Sequence, residues 1–403
     1  MRKVTLALAL AVGLAGSAQA ELPAPVPVSR AELRAEIAEK MLRVKKFLRD
    51  EHLAGILISQ VRNFSWITAG LGDSHNVITS EMGPATLLVM ADGRRYAIAS
   101  NSEMPRLMAE DLAGLGYEPR GFKWFEDKGP HDRKREIVNE LAAGGKIGTD
   151  SGFYDLPVVD WPFAQLRFPL TASEVVKYRW LGRHTTEAVQ EVCRRIAPGM
   201  SERAIEAMTS DALMQRGIRP TVLLIGVDHR VLDYRHANPS DARLARYAMV
   251  NVCARRWGLV IAVTRFVHFG PVPADLAHKV RDAALVCTAL LAHSRPGTTA
   301  SELMDVAKKA YAQVGWPQEW QEHHQGGPIG YGEREWVIWP GAPDVVRETQ
   351  AFAWNPTVQG AKIEDTVLVS HGKVEVLTAT PDWPVVRVRH SGLIYDAPAI
   401  LVR

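Results

Sequence analysis

Residues 251–265 read NVCARRWGLVIAVTR. An apolar run leads into a basic, glycine-containing break and resumes directly after it, which predicts two β-strands joined by a hairpin. Extended outward, the strands become YAMVNVCA and GLVIAVTRFV, and TVLLIGV, EDTVLVS and KVEVLT read the same way. Two pairs of helical stretches accompany them, 173–195 with 201–215 and 273–295 with 299–314. Paired helices and an antiparallel sheet predict an α+β domain that carries polar residues on its strands.

The first half of the chain has another rhythm. Leu33, Ile37, Met41, Leu42, Val44 and Leu48 fall near helical spacing, so 30–50 reads as an amphipathic helix. Short apolar runs follow, GILIS at 55–59, ATLLVM at 85–90 and RYAIAS at 95–100, then a helical stretch at 134–143 and the strand KIGTD. This alternation predicts a small α/β domain. At 403 residues the chain exceeds one ordinary core. The expected division is a leader at 1–20, an α/β domain at 21–168 and an α+β domain at 169–403.

The leader, MRKVTLALALAVGLAGSAQA, has a basic start, an apolar run and small residues at Ala18 and Ala20. That is the pattern of a cleaved secretory signal, and it predicts a periplasmic or secreted protein. No later segment is long and apolar enough to span a bilayer. Hydrophobic residues at 47% and charged residues at 23% are ordinary for a globular chain. A net charge of +3 without a basic block argues against a nucleic-acid partner. Cys193, Cys253 and Cys287 lack metal-ligand spacing and read as small buried apolar residues.

Several segments fall in one order: NFSWITAG, TASEVVKYRWLGRHTTEAV, RHANPSDARL, NVCARRWGLVIAVTR, HHQGGPIGYGERE, FAWNP and KIEDTVLVSHGKVEVLT. Together they resemble the creatinase and Xaa-Pro aminopeptidase family, M24, whose catalytic domain has the pita-bread fold. The resemblance covers most of the chain beyond the leader and is most specific in the second domain. It implies a homodimer and a small-molecule or short-peptide substrate. Metal-dependent members bind two divalent cations through two Asp, one His and two Glu. Those positions fall here on Asn251, Ala262, Gly327, Asn355 and Glu364, so a single carboxylate survives. Hard divalent cations want several carboxylate oxygens in fixed geometry. The resemblance therefore implies no dinuclear site, and no metal or other cofactor is assigned; a single ion held by His323 or His324 with Glu364 is the alternative.

Creatinases of the same family are metal-free, and the spacing of Asn251, Gly258, Ala262 and Arg265 follows theirs. His236 in RHANP matches their acid/base histidine, and Arg334 before Glu335 matches the arginine that holds a substrate carboxylate. Two acidic positions of that pattern are Thr264 and Asn355 here, which disfavours a cationic guanidino substrate.

Each residue keeps a structural alternative. His236 reads as a general acid/base or as a capping histidine. His323 and His324, being adjacent, would point apart on a strand, leaving one in the pocket and one in solvent. Arg334 reads as a carboxylate clamp or as the internal partner of Glu333, Glu335 or Glu364. Glu364 reads as a base with a raised pKa or as an arginine's partner. Five nearby tryptophans, Trp316, Trp320, Trp336, Trp339 and Trp354, read as packing groups. The expected function is metal-independent hydrolysis of a C–N bond in a small amide, amidine or peptide-like substrate that carries a carboxylate. Catalysis falls to His236, Glu364 and His323, and binding to Arg334, Asn251, Asn355, Arg265 and His324. The alternatives are a non-catalytic binding protein and an Xaa-Pro metalloaminopeptidase with an altered metal site.

Overall fold

The computed structural model describes residues 28–403 apart from Tyr154. The expected leader lies outside the described residues. Helix Arg30–Asp50 begins in a capping box: Ser29 Oγ accepts from the Glu32 N–H, and the Glu32 carboxylate accepts from the Ser29 N–H. Two of the donors that open the helix are thereby satisfied. Its Val44, Phe47 and Leu48 share a core with Ile56, Ile58 and Leu87 of the first sheet. That sheet holds β1 (Gly55–Gln60), β2 (Met82–Met90), β3 (Arg95–Ser100), β4 (Glu118–Phe122) and β5 (Ile147–Thr149) in the order β4-β3-β2-β1-β5. The β1/β5 and β3/β4 pairs are parallel and the others antiparallel, so the first domain is α/β with a mixed sheet.

After the one-turn helix Gln165–Arg167, helix Ala172–Arg195 opens the second domain in another capping box, Thr171 with Glu174. It packs with helix Glu202–Met214 behind an antiparallel sheet of β6 (Arg219–Val227), β7 (Tyr247–Arg256) and β8 (Leu259–His268). Helices Ala274–His293 and Ala300–Gln313 form the second pair. The other strands are β9 (Gly326–Pro328), β10 (Gln350–Trp354), β11 (Thr357–Val358), β12 (Ala361–Lys362), β13 (Asp365–Ser370) and β14 (Lys373–Val376). β14-β13-β10-β9 make a second antiparallel sheet, and β11 with β12 a short ribbon. A hairpin of β15 (Val385–His390) and β16 (Leu393–Pro398) precedes β17 (Leu401–Val402), which runs parallel along β8. No helix among the described residues is long and apolar enough to cross a membrane.

The hairpin expected within 251–265 is present and turns on two residues, Trp257 (φ 54°) and Gly258 (φ 75°). Two positive φ values in succession suit the right-handed twist of the flanking strands. A Cβ at 258 would lie 2.5 Å from the Ser65 Cβ and 2.8 Å from the Tyr331 ring. Only glycine fits there. The hairpin register puts Asn251 opposite Thr264, and Arg265 opposite Val250. Because side chains alternate along a strand, Thr264 and Arg265 must face opposite ways.

Buried charges join the two domains. Lys40 lies 2.7 Å from both Glu36 and Glu174, and Lys177 lies 2.9 Å from Glu36. All four side chains are nearly solvent-free, and two cations against two carboxylates leave the group neutral. Tyr331 Oη donates to Glu174 at 2.6 Å. Arg167 grips Glu335 through Nε and Nη2, and the Tyr331 N–H donates to the same carboxylate. The turn carrying Tyr331, Arg334 and Glu335 is therefore held from both ends by the first domain and the segment that follows it.

Candidate functional site

Glu364 lies between β12 and β13 and is 2% exposed. Four groups occupy its two oxygens. Arg334 Nη2 reaches Oε1 at 3.0 Å, while Lys362 Nζ (3.0 Å), Asn251 Nδ2 (2.6 Å) and Thr264 Oγ1 (2.7 Å) meet at Oε2. Burial alone would push this carboxyl up, but Lys362, Arg334 and the Thr264 hydroxyl outweigh it and hold the pKa at about 2. The expectation of a base with a raised pKa is thus overturned. Lys362 supplies positive charge that the reading of KIEDTVLV passed over. The signal was present, since residues two apart share a face of an extended chain.

Arg334 has the internal partner that one of its two readings expected, since Nη2 pairs with Glu364 and Nη1 donates to the Glu333 carbonyl, while its Nε is left without one among the described residues. Arg265, assigned to substrate binding, does not reach the site. It pairs with Asp365 at 3.0 Å and donates to the Thr264 and Thr378 carbonyls. Strand alternation is the reason: the resemblance fixed its place in the sequence but left its face of the sheet unexamined. Asn251 is present as a donor to Glu364. Asn355 follows β10, 3% exposed, and its Oδ1 has no partner.

A second cluster adjoins the first. His236 sits on the loop between helix His229–Asp233 and β7. Asp228 (φ 48°) accepts from the Ala245, Arg246 and Tyr247 N–H groups and so closes that loop. Buried Glu202 braces it further, accepting from the Val227 N–H, the Ser240 N–H and Oγ, and Arg230. His236 Nε2 lies 3.0 Å from His323 Nε2. His323 and His324 were expected to point apart. Their segment is irregular backbone ahead of β9, so strand alternation does not apply, and the rings stack at 4.4 Å and 24°. His323 is buried and His324 exposed, and both rings lie near His236.

Desolvation and the Lys362 charge hold His236 below the ordinary imidazole value, against the pull of Glu364. Desolvation with Lys362 puts His323 at about 2, and desolvation with Arg334 puts His324 at about 4. All three imidazoles are neutral at pH 7. Among the described residues, three buried polar atoms of the site have no partner: Asn355 Oδ1, Arg334 Nε and His323 Nδ1. Such atoms are rare in folded chains and favour a polar ligand or water. The cysteines, by contrast, are buried and unpaired, with the Cys193 and Cys253 thiols pushed up to about 12 by burial. Trp316 and Trp354 donate to Asp282 and Ser294, as packing groups do.

With this geometry in view, residues 177–371 match metallopeptidase family M24. That segment is an M24 domain. M24 is a family of peptidase-like hydrolases; in this chain the matched segment lies in the pita-bread domain, and an α/β domain precedes it. An uncharacterized peptidase of Staphylococcus aureus (strain MW2) is 22% identical over 316 residues, covering 72% of this chain and 87% of that protein. Dipeptidase PepE from Mycobacterium ulcerans has a similar structure, with TM-score 0.72 and 19% identity over 91% of this chain and 98% of that one. So has an Xaa-Pro dipeptidase from Bacillus anthracis, with TM-score 0.71 and 17% identity over 91% of this chain and 100% of that one.

The residues present do not fit the family's two metal ions. At Gly327, in the place of the metal-binding histidine, an added Cβ would lie 2.1 Å from the Trp336 carbonyl oxygen, so the position is filled by backbone. Glu364 already receives four donors, two of them cations, and Ala262 offers no ligand atom.

Proposed function

We propose that this M24 member hydrolyses the C–N bond of a small amide or short peptide carrying a carboxylate, without the two-metal centre of its relatives. The observation that carries the reading is the charge at Glu364. Two cations, Lys362 and Arg334, face one carboxylate, which leaves a net charge of +1 in a nearly closed site. A buried excess charge is costly until a counter-charge arrives, so the site suits an anionic ligand. The unpartnered Arg334 Nε offers that ligand a donor.

In this reading His236, neutral at pH 7, is the proton carrier. Water attacks the carbonyl carbon as His236 takes its proton. The C–N bond then breaks, and His236 gives that proton to the departing nitrogen. His323, too hard to protonate to act as an acid, holds the His236 ring through the 3.0 Å contact. Lys362 and Arg334 supply fixed positive charge for the substrate carboxylate and for the oxyanion that forms during attack. Glu364 stays ionised and keeps those two cations in place. The reading also places the protein outside the cytoplasm, on the strength of residues 1–20, and as a homodimer, on family resemblance.

The test is a panel of dipeptides and N-acyl amino acids, each with a free or an amidated C-terminus, offered to protein dialysed against chelator. Turnover of the free acids, lost in His236→Ala, supports the reading. Equal turnover of acids and amides would remove the anionic-substrate part. The saturation of Glu364 by four donors also favours a second reading, a non-catalytic binding protein. That reading predicts acid-selective binding with no turnover by either wild type or His236→Ala.

A further inference from the structure

We propose that His236, His323 and His324 form a mononuclear site for a borderline-soft divalent cation of the Zn2+ type, and that filling it stops hydrolysis. The second half rests on the function proposed above; the first half does not. None of the three histidines stands at one of the five family ligand positions, so this is a different site built from different residues.

Geometry brings the donors together. One nitrogen from each imidazole falls within 4.8 Å of the others. Tetrahedral Zn2+ with bonds of about 2.0–2.1 Å needs its ligand nitrogens about 3.3–3.4 Å apart. His236 and His323 are already at 3.0 Å. His236 and His324 are exposed, and a separation of up to 4.8 Å must close by about 1.4 Å to reach the tetrahedral spacing. His323 gives the site its fixed member: it is 8% exposed, and its Nδ1 lacks a hydrogen-bond partner. His324 Nδ1 accepts from the Gly326 N–H at 3.2 Å.

Donor chemistry selects the ion. Three imidazoles and no carboxylate suit Zn2+, Co2+ or Ni2+ and disfavour Mg2+, Ca2+ and Mn2+. Glu364 draws a cation toward the cluster while Lys362 and Arg334 repel it. Their net charge of +1 opposes any cation, so the affinity must come from the three neutral imidazole nitrogens. Three protein ligands leave the fourth position to water. The conflict with catalysis follows from one lone pair. An ion bound to His236 takes the electron pair that the imidazole uses to accept a proton, so occupancy and proton transfer exclude each other.

The experiment titrates full-length, chelator-treated protein with Co2+, followed by its visible ligand-field bands, and with Zn2+ by equilibrium dialysis. One ion per chain is expected. His236→Asn and His324→Asn should each weaken it at least about tenfold. His278→Asn, on an exposed helix face, should leave it unchanged. Binding that is absent, or that ignores both site variants, overturns the site. The use of two exposed histidines keeps this test clear of any folding defect in a His323 variant. Turnover is then measured at saturating Zn2+. Loss of activity supports the exclusion, and unchanged or increased activity overturns it while the site stands. Protein that binds one Zn2+ but turns over nothing when metal-free overturns the hydrolase reading instead.

Discussion

Replacing Glu364 with Gln keeps its shape and removes its charge, which isolates the electrostatic core of the site. The native carboxyl sits at about 2 against an ordinary value of 4.5. A difference of about 2.5 pH units corresponds to about 3 kcal/mol, at roughly 1.36 kcal/mol per unit. Breaking a buried ion pair on one side costs about 3–5 kcal/mol, so two routes to the magnitude agree. The sign follows from the depressed pKa. The contribution is complete above pH 4.5 and declines as acid protonates first the unfolded chain and then, near pH 2, the native carboxylate. At pH 3 about 1.4 kcal/mol of it should survive. The assay is urea unfolding of wild type and Glu364→Gln at pH 7 and pH 3, read by tryptophan fluorescence. Wild type should be more stable by about 3 kcal/mol at pH 7, with the gap more than halved at pH 3. A gap under about 1 kcal/mol at pH 7, or one that does not change with pH, would refute the account of Lys362 and Arg334 as a charge clamp on Glu364.

Other outcomes follow from the same geometry. His236→Ala should lower kcat by roughly 10²–10⁴-fold with an unchanged circular dichroism spectrum, as expected for loss of a general acid/base. The acid limb of the wild-type pH–rate profile should fall below 6.5, because the His236 pKa is lowered from that value and only neutral imidazole accepts the proton. Arg265→Met should destabilise the fold by about 3–5 kcal/mol through the stranded Asp365 while leaving KM unaltered; a KM effect without a stability loss would restore its binding role. Gly327→Ala should destabilise by at least about 1–3 kcal/mol, because the new Cβ meets the Trp336 carbonyl. Thermal unfolding of that variant checks the prediction.

The helices and most strands were legible because their signals are local. Ser29 with Glu32, Thr171 with Glu174 and Thr299 with Glu302 each announce a helix start, and each closes a capping box in the structure. The hairpin at 251–265 was legible from its apolar runs and Trp257-Gly258. Less legible were groups whose partners come from distant segments. Glu36 and Lys40 stand at i and i+4 on a helix, where such a pair normally faces water, yet both are buried against Glu174 and Lys177 of another element. Lys362 drew no reading from the sequence, because the Arg334 that meets it at the Glu364 carboxylate comes from a distant segment. Arg265 shows a limit of matching by motif: its place in sequence follows the family, and strand parity turns it to the far side. The stacking of His323 on His324 depended on irregular backbone that adjacency alone does not reveal.

The most direct test of the central claim is the rate at which protein stripped of metal, with its metal content measured, cleaves a dipeptide bearing a free carboxylate. The account predicts turnover that survives stripping, disappears in His236→Ala and is not raised by manganese or cobalt. Turnover that vanishes on stripping and returns only with manganese or cobalt would contradict it.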